Sequence, residues 1–174
     1  MVGMREAELW EIVDGAFADS VGSEDTFAAR VAALERRLRA LPPERVRAFA
    51  GALEEKLDAA YRWDLWGAAY LLGGGCSDDG FTDFRRWLVS MGRARYEAAL
   101  RDPETLVEVQ FGPGLEQDSF FEEYGYVAAQ VFEELTGGEM PAPPSRRRRA
   151  PLGEPWADDA ELAGRLPRLF AVRA

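Results

Sequence analysis

The sequence predicts an all-α fold, a compact single-domain helical bundle of about six to eight helices with at most one short strand pair. Three observations predict it. Apolar residues recur at steps of three and four along most of the chain. Proline and glycine pairs cut that pattern into helix-sized lengths. Strict apolar/polar alternation occurs in one short stretch only, too little for a sheet.

Leu9, Trp10, Ile12, Val13 and Phe17 mark a first short helix. Phe27, Val31, Leu34, Leu38 and Leu41 mark a second, with Ser23 as its expected cap. Pro42-Pro43 stops it and opens a third, because proline suits a first turn. That helix carries Val46, Phe49, Leu53, Leu57 and Tyr61. Trp63 to Leu72 is apolar all round and should run through the core until Gly73-Gly74-Gly75 ends it. Ser77 or Asp78 should cap the next helix, whose apolar face is Phe81, Phe84, Leu88 and Met91, with a break at Gly92. Tyr96 and Leu100 follow, and Asp102-Pro103 restarts a helical turn. Val107, Val109 and Phe111 alternate with Glu108 and Gln110 as one candidate strand before the Gly112-Pro113-Gly114 loop. Ser119 with Glu122 reads as a capping box for a helix from Phe120 to Leu135, closed by Gly137. Residues 1–137 form the expected helical domain. The Pro, Arg and Gly content of 138–155 marks a linker. Trp156, Leu162, Leu166, Leu169 and Phe170 give 156–174 an apolar side expected to dock back on the domain.

Composition narrows the chemistry. The 174 residues contain no histidine. That excludes histidine triads, histidine acid/base catalysis and histidine-ligated zinc. Lys56 is the one lysine against twenty arginines, and arginine does not release its proton at working pH. Proton transfer would fall to carboxylates, Lys56, Cys76 or a tyrosine. No apolar run approaches the ~20 residues of a membrane span, and the first helix is acidic, unlike a signal peptide. With one cysteine, a cytoplasmic location is the expectation.

Charge is unevenly placed. Residues 102–145 hold ten acids and no base, which accounts for the whole net charge of −10 because the rest has 21 of each sign. Glu116, Asp118, Glu122, Glu123, Glu133 and Glu134 are the candidate acidic interaction face. It would attract a basic protein or peptide and repel nucleic acid and anionic lipid. Arg146–Arg149 is a basic run without the interleaved aromatics of a nucleic-acid site, and contact with the chain's own acidic stretch competes with that reading.

The most distinctive stretch is Gly73-Gly74-Gly75-Cys76-Ser77-Asp78-Asp79-Gly80-Phe81. It lacks the Lys-Ser/Thr pair of a phosphate loop, and its two aspartates would repel phosphate. At 100° per residue Asp79, Asp83, Arg86 and Ser90 share a solvated face, while Asp78 and Arg85 flank the apolar stripe. Splitting the acids between two faces argues against a metal site, and no cofactor is expected. Asp78 is the expected partner of Arg85, tying the helix start to the core. Cys76 is either a packed residue or a thiol activated by the helix N-terminus. The aromatics around Trp66, Phe84 and Trp87 read first as core and second as a pocket.

Leu65-Trp66-Gly67-Ala68-Ala69-Tyr70, Gly74-Gly75-Cys76-Ser77-Asp78-Asp79-Gly80-Phe81 and Phe84-Arg85-Arg86-Trp87-Leu88-Val89-Ser90 resemble a bacterial family catalogued as domain of unknown function 4240. Glu8 to Asp14, Tyr96 to Leu100 and Asp102-Pro103-Glu104 extend the resemblance over about residues 5–136. It implies a shared fold and a shared central site including Asp78, Asp79, Phe84, Arg85 and Trp87. It implies no activity; the association of some relatives with regulatory domains leans towards interaction. The functional expectation is a non-enzymatic interaction or regulatory module. The alternative is a carboxylate-dependent enzyme or ligand-binding protein built around Asp78, Asp79 and Arg85, with Trp66, Cys76 and Ser77 beside them.

Overall fold

The computed structural model describes residues 3–109, 119–143 and 147–173. The described residues form helices joined by turns and loops, with no strand among them. In chain order the helices are α1 (Glu6–Ser20), α2 (Thr26–Arg39), α3 (Pro43–Ala59), α4 (Trp63–Leu72), α5 (Asp78–Ser90) and α6 (Arg93–Arg101). Short 3₁₀ turns at Pro103–Glu108 and Glu123–Gly125 lead to α7 (Val127–Thr136), α8 (Asp159–Arg165) and α9 (Pro167–Arg173). No helix among the described residues is long and apolar enough to cross a membrane.

The three-and-four spacing becomes the packing pattern. α1 packs along α2, and α3 lies against both α5 and α7. Leu9, Val13, Leu34, Leu38, Val46 and Phe49 are fully buried where α1, α2 and α3 meet. α4 is enclosed as its all-round apolarity requires: Leu65, Ala68, Ala69, Leu71 and Leu72 are buried. α9 packs on α4 and on the first 3₁₀ turn, burying Leu166 and Leu169. Gly67 makes that approach close. A Cβ there would stand 2.8 Å from Leu162 Cδ1.

Local rules set most boundaries. Pro43 opens α3, Ser77 caps α5 by accepting from Gly80 N at 3.1 Å, and Gly137 closes α7 at φ 73°. Gly92, at φ 94°, separates α5 from α6. Three expectations fail. Asp25, not Ser23, caps α2, accepting from Ala28 N at 2.9 Å, because the helix begins at Thr26 and only its immediate neighbour reaches the free N–H. The alternating stretch begins as a 3₁₀ turn instead of a strand. Pro103 presets the backbone, Asp102 accepts from Glu104 N at 3.0 Å, and Pro103 and Leu106, eclipsed at i and i+3, are both buried. The remainder of that stretch, Gln110 and Phe111, and the Gly112-Pro113-Gly114 loop lie outside the described residues. Ser119 makes no capping box. Its hydroxyl is buried without a partner among the described residues, and the helix starts only at Val127.

Residues 138–143 and 147–155 are tied to the domain. Arg47 donates to Pro141 O at 3.3 Å and to Ala142 O at 3.4 Å. Beyond 144–146, which lie outside the described residues, Arg147 pairs with Glu54 at 2.9 Å. Arg148 donates its backbone N–H to Asp58 at 2.6 Å, and its guanidinium lies 3.3 Å from the same carboxylate. Leu152 N donates to Tyr61 O at 2.9 Å and Trp63 N donates back to Leu152 O at 2.9 Å, a single parallel bridge. Positions 47, 51, 54 and 58 form one stripe of a helix. The described parts of the segment therefore lie as a strap along one face of α3, following the direction of that helix.

Candidate functional site

The sequence-predicted site residues divide into a chain of rings and an exposed helix start. Trp66 Nε1 donates to Cys76 O at 3.1 Å, and its ring stacks on Trp63 at 5.1 Å and on Phe81 at 4.8 Å. Phe81 meets Phe84 at 6.2 Å, and Phe84 meets Trp87 at 5.4 Å. Phe81, Phe84 and Trp87 are buried, so this part of the site is core. Ser77, Asp78 and Asp79 sit at the exposed first turn of α5, where the aspartates favour the helix dipole.

Arg85 and Asp78 form no pair. Arg85 reaches across to α3 and donates to Leu57 O at 2.8 Å. It also donates to Phe81 O at 3.3 Å and to Thr82 Oγ1 at 3.2 Å. Its guanidinium lies over the rings of Tyr61 at 4.6 Å and Phe81 at 5.0 Å. The physical reason is Leu57. That carbonyl lies in the last turn of α3 and has no helical donor, so a flat, permanently charged fork caps it better than a distant carboxylate would hold the fork. Burial pulls the Arg85 pKa down, and the fields of Tyr61, Glu54 and Asp58 pull it back.

The face assigned to solvent is also revised. Asp83 and Arg86 pair at 2.9 Å, and both are largely covered. Arg86 lies over the Tyr126 ring at 5.2 Å and fills the space a side chain at Gly125 would need. Burial raises the Asp83 pKa against the pull of Arg86. Ser90 is fully buried; its hydroxyl donates to Trp87 O at 2.7 Å and accepts from Arg30 at 3.0 Å. Cys76 is no activated thiol. Burial first, then Asp83 and Asp78, push it up to about 12.

The acidic stretch is put to several uses. Glu104 is buried and takes the backbone N–H groups of Arg168 at 2.9 Å and Leu169 at 2.8 Å, seating α9. Glu134 holds Arg39 by two bonds, at 2.8 and 3.1 Å. Glu122 accepts from the Tyr126 hydroxyl at 3.0 Å, and Glu123 and Glu133 are exposed. Glu116 and Asp118 lie outside the described residues. No group of three or more carboxylate or thiol ligands converges among the described residues.

Sequence reasoning missed two features. Arg30, 4% exposed, has no carboxylate partner among the described residues and donates to the hydroxyls of Ser20 and Ser90. Its spacing on α2 beside Phe27 and Leu34 was the available signal. The second is a cavity of about 220 Å³ between α3 and α5, lined by Tyr61, Thr82, Arg85 and Arg86 and edged by the strap arginines. Residues from distant parts of the chain form it, so no local pattern announces it.

Residues 4–134 match the family described as a protein of unknown function, DUF4240. The chain belongs to that family. No curated protein and no solved structure matches it. The DUF4240 match contains α1 to α6 and most of α7, and with them Glu54, Asp58, Tyr61 and Arg85. The strap and the helices after it follow the DUF4240 match.

Proposed function

We propose that the domain is a non-enzymatic protein-interaction module, and that the acidic edge of α3 accepts an extended, arginine-bearing segment. One observation carries this reading. Glu54 and Asp58 each hold a guanidinium of the chain's own strap, while backbone groups at Tyr61 and Trp63 take its Leu152. The edge belongs to the family-matched domain, and what fills it comes from beyond the match. The binding chemistry is therefore a property of the domain, with the strap as an occupant in cis. The occupant is exchangeable on energetic grounds. Exposed ion pairs contribute about 0–1 kcal/mol each, and Arg147 and Arg148 remain substantially exposed. The net charge of −10, with Glu122, Glu123 and Glu133 on the surface, steers basic partners towards the domain.

The test uses the full chain carrying R147E and R148E, whose strap is repelled from α3, and a labelled peptide spanning residues 139–153. Fluorescence anisotropy should show saturable binding that weakens about tenfold or more from low to high salt. Adding E54R and D58R should abolish it. Binding that ignores those two substitutions, or no binding at low salt, overturns the reading.

A further inference from the structure

The cavity between α3 and α5 has a charge pattern that the strap does not explain. Each carboxylate on its wall already holds an arginine: Glu54 holds Arg147 at 2.9 Å and Asp58 holds Arg148 at 3.3 Å. Arg86, also on the wall, is held by Asp83 at 2.9 Å. Arg85 is the exception. It lines the same cavity, and its hydrogen bonds go to two carbonyls and a hydroxyl, all neutral. A guanidinium has five N–H donors in a fixed fork. Three bonds leave donor capacity on a half-buried cation that no carboxylate among the described residues touches, facing an open volume.

We infer that this cavity binds a small oxyanion, the phosphate or carboxylate group of a small molecule, with Arg85 as its cationic seat. A planar fork matches such a group better than it matches a monatomic anion. Arg85 is already oriented: three hydrogen bonds and the Tyr61 and Phe81 rings fix its plane, so little ordering remains to be done on binding. Tyr61 lines the cavity too, and its hydroxyl has no hydrogen-bond partner among the described residues, which makes it a second donor of the right kind. A volume of about 220 Å³ exceeds one phosphate group and falls short of a drug-sized pocket, so the anion arrives on a small carrier. The surroundings set selectivity. A positive seat in a protein of net charge −10 takes a small anion while the wider field repels polyanions such as nucleic acid. The seat itself, Arg85 with Thr82 and Tyr61, lies within the matched domain, and the strap's Arg147 and Arg148 complete the rim of the cavity.

Inorganic phosphate and malonate, titrated separately into the full chain at low ionic strength, test it by amide chemical shifts and calorimetry. Saturable shifts centred on Tyr61, Thr82, Arg85 and Arg86 are expected for at least one of them. The tighter of the two tells whether the natural group is a phosphate or a carboxylate. R85K, which keeps the charge but loses the fork, should weaken binding about tenfold or more with its circular dichroism unchanged. If R85K does not fold, the shift map of the parent chain decides the matter. No saturable shift with either anion, shifts centred elsewhere, or full affinity in R85K overturns the inference.

Discussion

Replacing Arg85 with alanine measures what this side chain does for the fold. The guanidinium caps the Leu57 carbonyl at 2.8 Å, in the last turn of α3, and covers the Tyr61 and Phe81 rings. Losing a charged donor from a carbonyl with no other partner costs about 1.5–3 kcal/mol. Lost ring contacts add about 0.5–1 kcal/mol. The expected destabilisation is about 2–4 kcal/mol, partly offset because a desolvated charge disappears. For a chain of this length ~1 kcal/mol moves Tm by about 2–4 °C, so Arg85→Ala should melt about 5–15 °C below the parent. Asp78→Ala loses only a favourable charge at the start of α5 and should cost less than about 1 kcal/mol. Circular dichroism melts at neutral pH, run in parallel on the two variants, provide the assay. Equal losses in both would restore the Asp78–Arg85 pair and refute the capping argument. An Arg85→Ala chain melting within a degree of the parent would refute any structural role for Arg85.

Other consequences follow from the same contacts. Glu104→Gln keeps the shape but loses the charge that takes the N–H groups of Arg168 and Leu169; it should cost about 1–2 kcal/mol and be read as a lower Tm. Gly67→Val drives a Cβ to 2.8 Å from Leu162 and 3.3 Å from Leu166, so limited proteolysis should release the segment after Trp156 faster than in the parent. Cys76, pushed up to about 12 by burial and by Asp83 and Asp78, stays a neutral thiol at neutral pH; its alkylation rate should be far below that of a free thiol and should keep rising past pH 10, whereas a plateau near pH 8–9 would contradict the burial. Arg30, lowered to about 10 by burial, carries an uncompensated charge, and Ser20 and Ser90 keep their own helix carbonyls without it, so Arg30→Met should melt within about 1 kcal/mol of the parent or above it.

The legible parts of the fold were those fixed by local rules. Helical spacing, Pro43, Ser77 and Gly137 place their helices from neighbours in sequence. The failures share a cause. The Ser119 capping box and the Val107 alternation were sound local patterns overruled by Asp102, Pro103 and contacts with α5, such as Phe121 N donating to Asp83 O at 3.1 Å. Arg85 shows how far such reading extends into the site. Its place beside the apolar stripe was legible, and so was its need for a partner. The partner was not, because a helix-end carbonyl on α3 leaves no mark in the sequence. The strap was hidden for a similar reason. Proline and arginine content reads as a linker, and only the stripe at 47, 51, 54 and 58 on another element makes it a bound segment.

Charge reversal tests the strap-bearing edge of α3 most directly. Backbone hydrogen exchange at Leu152 and Trp63 reports strap seating, since their amides donate across the bridge at 2.9 Å each. Reversing the edge with E54R and D58R, or the strap with R147E and R148E, should each lower protection at these two amides. Combining all four reversals should restore it, because the charges again oppose across the same face. Unchanged protection in either pair of reversals, or no recovery in the fourfold variant, would contradict recognition of the strap by Glu54 and Asp58.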